Sequence, residues 1–463
     1  MNNKMLQSNI KAIDEATEKV KKFLDKIIDD GSFVETDVFA AGKTFLDSTE
    51  ALGEGVVTGY ATISDTPVHL FAQNAEVMKG SFSEAHAKKI KKVIFKAIGT
   101  GTPLVSFIDC SGARVGEGVR MLEAMAEVIA ALNEAKSNIP HICVVKGNAV
   151  GMVASMVNLA DFVIMSDKAV MSLGSPQAIA SREKDYPKLT SILGAEAYAS
   201  SSDICDFTYK SEKELKSIVV DLLKLLSNEV AEGTDDANRE TPSLDKKYTV
   251  EAGLKALADN EKYLVANAEY AKELVTAYTM VNSIPVAVLA FDSTVNDGYL
   301  SVNGVDKAIT FIEKATGNGL PVISLVDCLG VKSCRACEVA GLSKKVAKLM
   351  SLISSSTTPM ISVITGKAIG LAYTVFASKG IGFDYSLASV NAEISPITSA
   401  QAVNVVYSEE LKNGEMRDKL AERYSELEAN PFVSAKDGYV DNIIELSTIR
   451  PYVASALMML LGV

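Results

Sequence analysis

Short, uninterrupted apolar runs alternate with stretches of helical period along the first half of the chain. The apolar runs VHLFA, LVSFID, HICVV and FVIM occupy residues 68–72, 104–109, 141–145 and 162–165. Between them, the segment SEAHAKKIKKVIFKAIG and residues 117–136 have apolar side chains every three to four positions. Apolar strands without a polar face, separated by helices, are typical of a parallel sheet buried on both sides. The pattern therefore predicts the α/β fold class.

The same succession of elements occurs twice. A shift of 218 residues aligns GTGTPLVSFIDCSG, which begins at Gly99, with GNGLPVISLVDCLG, which begins at Gly317. It also pairs TPVHLFAQN with IPVAVLAFD, and one further residue of shift pairs VVKGNAVGMVAS with VITGKAIGLAYT. The period is far longer than the roughly 20–50 residues of solenoid repeats, so each copy is expected to be a whole domain. This duplication predicts that Asp109 and Asp327 occupy equivalent positions in the fold.

A helix is also predicted in front of each copy. In the first, apolar residues recur at a spacing of three to four along the chain: Leu6, Ile10, Ile13, Val20, Phe23 and Ile27. The segment 231–245, AEGTDDANRETPSLD, is polar and contains a proline, which is typical of an interdomain linker. These features predict two domains, residues 1–235 and 246–463.

Length and charge exclude several classes of function. The 463 residues suffice for two cores, and the net charge of −12 offers no general attraction for nucleic acid or an anionic membrane surface. No local basic patch replaces it. No apolar run reaches the roughly 18 residues of a membrane-spanning helix, and the N-terminal segment carries Lys and Glu where a signal peptide has an apolar core. We expect a cytoplasmic protein that neither binds nucleic acid nor inserts into a membrane.

The six cysteines favour neither a disulfide framework nor a metal site. Four of them lie within or beside apolar runs, which favours reduced thiols in the core: Cys110, Cys143, Cys205 and Cys328. Only Cys334 and Cys337 have the spacing of metal ligands. A zinc site needs about four ligands, and the sequence has no second Cys-x-x-Cys and no His pair. No metal is therefore predicted.

Two glycine-containing turns follow apolar runs in each copy. They are SGAR and KGNAVG in the first copy, and LGV and TGKAIG in the second. A turn that leaves a strand and enters a helix presents unpaired backbone N–H groups and the positive end of the helix, so two converging turns form an oxyanion hole. Any one of these glycines is explained by a tight turn alone. Two pairs in the same register favour a doubled site.

Seven segments appear in a distinctive order between Phe23 and the C-terminus: GEGVVTGYATISDTPVHLFAQN, GSFSEAHAKKIKKV, DCSGARVGEGV, LGAEAYASSSDICDF, VDCLGVKSCRACEVAGLSKKVAKLM, VITGKAIGLAYTVFASK and NPFVSAKDGYVDNIIELSTIRP. Together they resemble the carboxyltransferase β subunits of biotin-dependent acyl-CoA carboxylases of the propionyl-CoA and acetyl-CoA type. The related subunits of biotin-dependent acyl-CoA decarboxylases share the resemblance. It implies two crotonase-like (ClpP/crotonase) α/β domains in tandem, which the repeat suggests independently.

The resemblance implies an enzyme that moves a carboxyl group between biotin and the α-carbon of a short acyl-CoA. Biotin is carried on a separate protein, and the coenzyme A ester is the substrate. One hole would hold the thioester oxygen as an enolate develops, and the other the ureido oxygen of biotin. The match to the family's loops implies these catalytic positions: Gly112, Ala113, Gly151, Met152, Gly330, Val331, Gly370, Leu371 and Ala372.

Three further side chains are candidates for substrate binding. Lys79, which replaces a glycine of the family, could meet a CoA phosphate or be solvated, and Arg114 could contact the ligand or form a salt bridge. Thr374 falls where the family's acyl pocket is lined. The family's Gly-Gly pairs have changed, because Met152 and Leu371 stand at their second positions. Backbone N–H groups form the hole, so these side chains narrow the cavity without removing a donor.

Partner proteins are also implied. No biotin-attachment sequence and no glycine-rich nucleotide loop of the biotin-carboxylase kind is found, so the resemblance implies a biotin carboxyl carrier protein and a biotin carboxylase, or the partner subunits of a decarboxylase. It also implies a homo-hexamer built as a trimer of dimers. Two alternatives stay open. One is a biotin-independent crotonase-type acyl-CoA enzyme, a hydratase or decarboxylase; the other is a non-catalytic subunit of a carboxylase complex.

Overall fold

The computed structural model describes residues 2–40, 42, 52–183, 188–227, 235–413 and 415–462. The chain divides into two compact units, Met1–Lys224 and Leu225–Val463. Of the segment predicted as a linker, residues 231–234 lie outside the described residues. The remainder belongs to the second unit, where Leu244 is buried and the carbonyl of Asp236 accepts a hydrogen bond from Arg450. The domain bounds 1–235 and 246–463 stay a prediction.

The described part of the first unit contains one eight-stranded sheet. Its strands are β1 (Val34–Thr36), β2 (Val56–Ile63), β3 (Thr66–Gln73), β4 (Leu104–Cys110), β5 (His141–Val150), β6 (Phe162–Ser166), β7 (Val170–Ser172) and β8 (Phe207–Tyr209). The strand order is β1-β2-β3-β4-β5-β6-β8, with β7 beside β5. The β1–β2 and β2–β3 pairs are antiparallel and the others are parallel. Its helices are α1 (Asn2–Leu24), α2 (Glu84–Thr100), α3 (Val119–Lys136), α4 (Met152–Val157), α5 (Pro176–Ala180), α6 (Leu189–Leu193), α7 (Ala195–Ser201) and α8 (Glu212–Leu226).

The second unit repeats this sheet within its described residues. Its strands are β9 (Tyr263–Ala266), β10 (Leu274–Val281), β11 (Ile284–Phe291), β12 (Val322–Cys328), β13 (Met360–Ile369), β14 (Tyr385–Ser389), β15 (Glu393–Ser395) and β16 (Asn442–Ile444). They are ordered β9-β10-β11-β12-β13-β14-β16, with β15 beside β13. Its helices are α9 (Val250–Leu257), α10 (Val302–Gly317), α11 (Arg335–Val339), α12 (Leu342–Ser354), α13 (Leu371–Phe376), α14 (Ser399–Val406), α15 (Ser408–Lys412), α16 (Arg417–Tyr424), α17 (Pro431–Lys436) and α18 (Ile449–Leu461).

The two sheets confirm the duplication predicted from the repeat. Strand order agrees position by position, and the antiparallel hairpin β2–β3 corresponds to β10–β11. Asp109 and Asp327 are the second-to-last residues of the equivalent strands β4 and β12. The α/β class is also confirmed, and the central strands are buried as their apolar composition predicts, β11 at every position.

Local sequence signals explain where helix α2 of the first unit begins and ends. Helix α2 follows Ser83, whose hydroxyl accepts a hydrogen bond from the His86 amide, and Gly101 ends it with φ of 67°. The N-terminal helix α1 buries Ile13 and Val20 of its predicted stripe, Phe23 is half-buried, and Ile27 is buried just beyond the end of the helix. One member differs: Ile10 is 41% exposed. Leu6 lies among side chains that the structure does not describe.

Each unit buries a lysine in the helix that follows its antiparallel hairpin: Lys89 in α2 and Lys307 in α10. The Lys307 ammonium donates hydrogen bonds to the carbonyl oxygens of Asn267 at 2.9 Å and Tyr270 at 2.7 Å. Lys89 donates in the same way to the carbonyl of Gly53. These contacts join the helix to the loop beside the antiparallel strands. Burial lowers the pKa of Lys307 to about 8 from 10.5, and the charge of Glu273 only partly opposes this.

A pH dependence of stability follows for Lys307. Above pH 8 the folded protein loses the proton while the unfolded chain keeps it up to pH 10.5, so the unfolded state binds more protons in this window. Stability therefore rises with pH there, by roughly 2–3 kcal/mol relative to Lys307→Met, which lacks the titrating group. Urea unfolding of both proteins, followed by circular dichroism at several pH values, measures this difference. Parallel pH profiles would contradict it.

Candidate active site

The four glycine-containing turns lie at the carboxyl ends of central strands, two turns in each sheet. In the first unit β4 and β5 are parallel neighbours, and Cys110 pairs with Ala149 just before both strands end. In the second unit Cys328 pairs with Ala368 in the same manner. Because parallel strands end at one edge of the sheet, the two turns that follow them emerge side by side. This edge is the place where such folds bind ligands.

In the first turn of each unit, the residues before and after the central residue both form backbone hydrogen bonds to one residue of a neighbouring segment. Gly112, at φ of 111°, accepts from the Phe82 amide at 2.8 Å, and the Arg114 amide donates to the Phe82 carbonyl at 2.9 Å. Between these bonds the Ala113 N–H has no acceptor among the described residues. Gly330 and Lys332 bond to Leu300 identically, which leaves the Val331 N–H without an acceptor in the described part of the chain.

The second turn of each unit leads into a short helix. Gly151 has φ of 72°, donates its N–H to Ser172, and is followed at once by α4, which begins at Met152. Gly370 has φ of 54° and donates to Ser395 before α13 begins at Leu371. The first N–H groups of a helix have no partner within it. Those of Met152, Leu371 and Ala372 also meet no acceptor elsewhere in the described chain.

The two turns of each unit lie close together. A Cβ placed on Gly112 would lie 3.6 Å from the carbonyl oxygen of Val150, the residue just before Gly151. A Cβ on Gly330 would lie 3.3 Å from the carbonyl oxygen of Ile369. Unpaired N–H groups therefore lie close together in each unit: Ala113 and Met152 in the first, and Val331, Leu371 and Ala372 in the second. Two adjacent backbone donors without acceptors are the arrangement that stabilises a developing oxyanion.

A carboxylate supports the second turn from the first. Asp109 Oδ1 accepts from the Asn148 amide at 3.1 Å, and Lys146 Nζ lies 3.5 Å from Oδ2. In the second unit Asp327 accepts from the Lys367 amide at 2.8 Å and from the Ser293 hydroxyl. Sequence reasoning used these aspartates only to align the repeat. The signal was present, because an Asp at the end of an apolar strand is repeated in both copies.

The close approach of the Asp109 carboxylate to Gly147 allows the geometry of the second turn to be tested by substitution. Gly147→Ala would place its Cβ 2.2 Å from Asp109 Oδ1, so the strand end must move. We expect a loss of about 1–3 kcal/mol of stability, with lower turnover because the second turn is displaced. Gly99→Ala, at a helical position with nothing within 4 Å, is the matched control; it should leave turnover unchanged and keep stability or raise it by about 0.4–1 kcal/mol. Thermal unfolding of both variants measures the difference.

Arg114 lies in a buried ion pair instead of projecting into solvent. Its guanidinium contacts the Glu54 carboxylate at 2.6 Å, and Nε donates to the Ser81 hydroxyl at 3.2 Å. Glu54 is fully buried and also accepts from the Ser83 hydroxyl, while Glu117 lies 3.6 Å from the guanidinium. Of the two roles open for Arg114, the structure provides the salt bridge. Sequence reasoning missed Glu54 because 60 residues separate the partners.

The other two substrate-binding candidates are exposed at the mouths of the turns. Lys79 is exposed, has φ of 54°, and accepts at its carbonyl from the Ser111 amide at 3.1 Å, directly before Gly112. Thr374 lies in the first turn of α13, and its hydroxyl donates to the Gly370 carbonyl at 3.3 Å. Lys79 is therefore next to the unpaired N–H groups of the first unit, and Thr374 is next to those of the second unit.

None of the three histidines is placed to act as a base at these turns. Burial lowers the pKa of His86 and that of His141 to about 3, so both rings are neutral. His86 contacts the Glu54 carbonyl and Gln73, and His141 contacts the Ser106 hydroxyl. His69 contacts Thr102. A charged imidazolium of His86 or His141 is therefore not part of the chemistry at the turns.

The cysteines correct one expectation. Four are buried thiols, as predicted: Cys110, Cys143, Cys205 and Cys328. Cys334 and Cys337, however, form a disulfide, although the sequence favoured no disulfide. Three residues of separation across the first turn of α11 bring the sulfurs together, which composition alone does not reveal.

Among the described residues no group of three or more His, Cys, Asp or Glu could hold a metal ion. No described helix combines the length and apolarity needed to cross a bilayer.

Comparison with known proteins identifies the family. Residues 18–462 match the model of the carboxyl transferase domain. The chain belongs to the carboxyl transferase family. It is 31% identical to the propionyl-CoA carboxylase carboxyltransferase subunit of Haloferax mediterranei, over 94% of this chain and 89% of that protein. It is 32% identical to methylmalonyl-CoA decarboxylase subunit alpha of Veillonella parvula, with the same two coverages.

A solved carboxyl transferase structure agrees with the fold. Transcarboxylase 12S, a hexamer assembly crystallised with methylmalonyl-coenzyme A and methylmalonic acid bound, superposes with a TM-score of 0.93 at 29% identity. The match covers 100% of this chain and 96% of that one. The tandem crotonase-like fold and the carboxyltransferase class predicted from the sequence are therefore confirmed.

Proposed function

We propose that this carboxyl transferase moves a carboxyl group between carboxybiotin on a partner carrier protein and the α-carbon of a short acyl-CoA. The observation that carries the proposal is the doubled cluster of unpaired backbone N–H groups, one cluster in each unit. Two acyl or ureido oxygens must be polarised in such a transfer, and each unit offers one place for an oxygen. A single hole would suffice for a thioester hydrolase or hydratase.

The first unit would bind the thioester. The N–H groups of Ala113 and Met152 donate to its carbonyl oxygen, which becomes negative as the enolate forms at the α-carbon. Gly112 and Gly151 allow this approach because both have positive φ and nothing closer than 3.6 Å to a Cβ placed on them. Lys79, exposed beside this turn, would pair with a phosphate of coenzyme A.

The second unit would hold biotin. Carboxybiotin supplies the carboxyl group as CO₂, and its ureido oxygen needs hydrogen-bond donors. The residues present fit this need, since the N–H groups of Val331, Leu371 and Ala372 lack acceptors in the described part of the chain and adjoin Gly330 and Gly370. Thr374, for which the resemblance implies a substrate-binding role, lies on the same short helix as two of these N–H groups. Neither unit requires a side-chain nucleophile in this scheme.

Arg114 would act as a positioning residue. Its side chain is 6% exposed, and its ion pair with Glu54 lies directly after Gly112 and Ala113. The ion pair and the hydrogen bond to Ser81 fix the position of Arg114 at the end of the first turn. The backbone of the preceding residue, Ala113, is thereby restrained, and its N–H stays oriented toward the proposed oxyanion. Contact with coenzyme A is not needed for this role.

The assembly is part of the proposal. A biotin-bearing carrier with a biotin carboxylase, or the partner subunits of a decarboxylase, would supply the biotin, and the cytoplasm is the proposed location. A homo-hexamer built as a trimer of dimers is supported by transcarboxylase 12S, which is a hexamer assembly. Light scattering at micromolar concentration measures the oligomeric state, and a monomer would contradict this part of the proposal.

One experiment separates the proposal from its alternatives. The purified protein is incubated with malonyl-, methylmalonyl- or glutaconyl-CoA, with and without free biotin, and release of CO₂ is measured. We expect decarboxylation of at least one ester that depends on biotin. Equal rates without biotin would instead support a biotin-independent crotonase-type enzyme. Binding of the esters without any turnover would support a non-catalytic subunit.

A further inference from the structure

The segment that follows the first turn of the second unit carries a covalent link that the first unit lacks. Cys334 and Cys337 form their disulfide only a few residues after Gly330 and Val331. Cys334 is exposed and Cys337 is half-buried, whereas the other four cysteines are buried. A reagent in solution therefore meets this pair of sulfurs first.

The two units hold this segment by different means. In the first unit the buried Arg114 ties the segment to Glu54. The residue equivalent to Arg114 under the 218-residue shift is Lys332, which is exposed and pairs with Asp297 at the surface. An exposed pair of this kind is weak. In the second unit the disulfide therefore lies in the segment that, in the first unit, is held by the buried ion pair of Arg114 with Glu54.

Beyond Lys332 the segment is held mainly by its own bonds. The Glu338 amide donates to the Cys334 carbonyl at 2.9 Å, the Gly341 amide donates to the Glu338 carbonyl at 3.0 Å, and the Ser333 hydroxyl bonds to the Glu338 carboxylate. Val339 is 84% exposed. A segment with few buried contacts opens at low cost, so a covalent cross-link has a large effect on its conformation.

We propose that Cys334 and Cys337 are a reversible dithiol–disulfide site, and that its redox state sets the order of residues 331–341 and the rate of carboxyl transfer. The effect on turnover rests on the proposed function; the redox chemistry does not. The reactant is a soluble thiol–disulfide pair. Such a short cross-link constrains the unfolded chain far less than a long one, so stabilising the fold is not its main effect.

The exchange proceeds in two steps. A thiolate of the reductant attacks the exposed sulfur of Cys334, the S–S bond breaks, and Cys337 leaves as a thiolate that takes up a proton. A second thiolate then attacks the reductant's sulfur in the mixed disulfide, which releases Cys334 as a thiol and the reductant as its disulfide. Two electrons pass from the reductant to the protein.

Glutathione redox buffers test the redox site directly. The native protein is equilibrated over a series of reduced-to-oxidised ratios, alkylated at neutral pH without denaturant by an excess of N-ethylmaleimide, and analysed by peptide mass spectrometry. We expect Cys334 and Cys337 to change together in one transition, while the four buried thiols stay unlabelled. Both cysteines remaining labelled in excess oxidised glutathione, or unlabelled in excess reduced glutathione, would overturn the proposal.

Hydrogen exchange and turnover test the consequence. We expect exchange of a peptide spanning residues 331–341 to become several-fold faster on reduction, with a peptide spanning 114–118 unchanged. Biotin-dependent decarboxylation should change at least about threefold between the two states. The double variant Cys334→Ser with Cys337→Ser should lose this redox dependence, and Ala336→Ser, which keeps both sulfurs, should retain it. Equal exchange in both states would overturn the ordering role, and equal turnover the effect on rate. If no ester is decarboxylated in either state, the proposed function fails while labelling still decides the redox site.

Discussion

Met152→Pro is expected to lower biotin-dependent decarboxylation by about a hundredfold or more, which corresponds to about 3 kcal/mol of transition-state stabilisation. Proline has no N–H, so this change removes one of the two donors proposed for the thioester oxygen. Met152 is the first residue of α4, where proline is tolerated because that N–H bonds to nothing within the helix. The rate at saturating acyl-CoA measures the loss.

The matched control is Met152→Ala, which shortens the same half-buried side chain but keeps the backbone N–H. It should retain most of the turnover, and circular dichroism should show that both variants are folded. Equal losses in the proline and alanine variants would mean that the Met152 side chain matters and the N–H does not. In that case the first hole would be wrongly placed.

The same substitution in the second unit separates the two holes. Leu371 is the first residue of α13, and Leu371→Pro removes a donor there with the fold conserved for the same reason. Acyl-CoA should still bind to this variant in a titration, although decarboxylation with biotin is lost. An equal loss of acyl-CoA affinity in the Met152→Pro and Leu371→Pro variants would contradict the assignment of one ligand to each unit.

The second large effect concerns stability. Arg114→Met is expected to destabilise the first unit by about 3–5 kcal/mol, because it leaves the fully buried Glu54 carboxylate without its cation. The Ser83 hydroxyl remains as a partner of Glu54 but cannot neutralise its charge. The free energy of unfolding in urea measures the loss.

Two further variants show that the buried charge causes the loss. Lys332→Met changes the equivalent residue of the second unit, which is exposed, and should leave stability nearly unchanged. Adding Glu54→Gln to Arg114→Met should recover part of the lost stability, since no unpaired charge is then buried. A double variant no more stable than Arg114→Met would show that packing around the guanidinium, rather than charge, is what counts.

Much of the architecture was predictable because it depends on local patterns. The alternation of apolar strands and helices reports burial on both faces of a sheet, and the shift of 218 residues reports the duplication without any knowledge of contacts. The positions of Gly112, Gly151, Gly330 and Gly370 were predictable as well. A strand-to-helix turn with positive φ favours glycine, and all four have positive φ.

Contacts between distant residues were not predictable in this way. The ion pair of Arg114 with Glu54 and the hydrogen bond of Asp109 to Asn148 join segments 60 and 39 residues apart, and no spacing rule relates them. The exposure of Ile10 is similar, because helical period predicts a face but not how far the neighbouring elements extend over it.

The sequence by itself determined the two α/β units, the order of their strands and helices, and the glycines at the turns, since each of these depends on side-chain periodicity or on the allowed φ of one residue. Only the tertiary structure decided that the N–H groups of Ala113 and Val331 lack acceptors, and that Cys334 joins Cys337. Whether a backbone donor is satisfied depends on which atoms the fold brings within about 3 Å of it, and most of those atoms come from elsewhere in the chain.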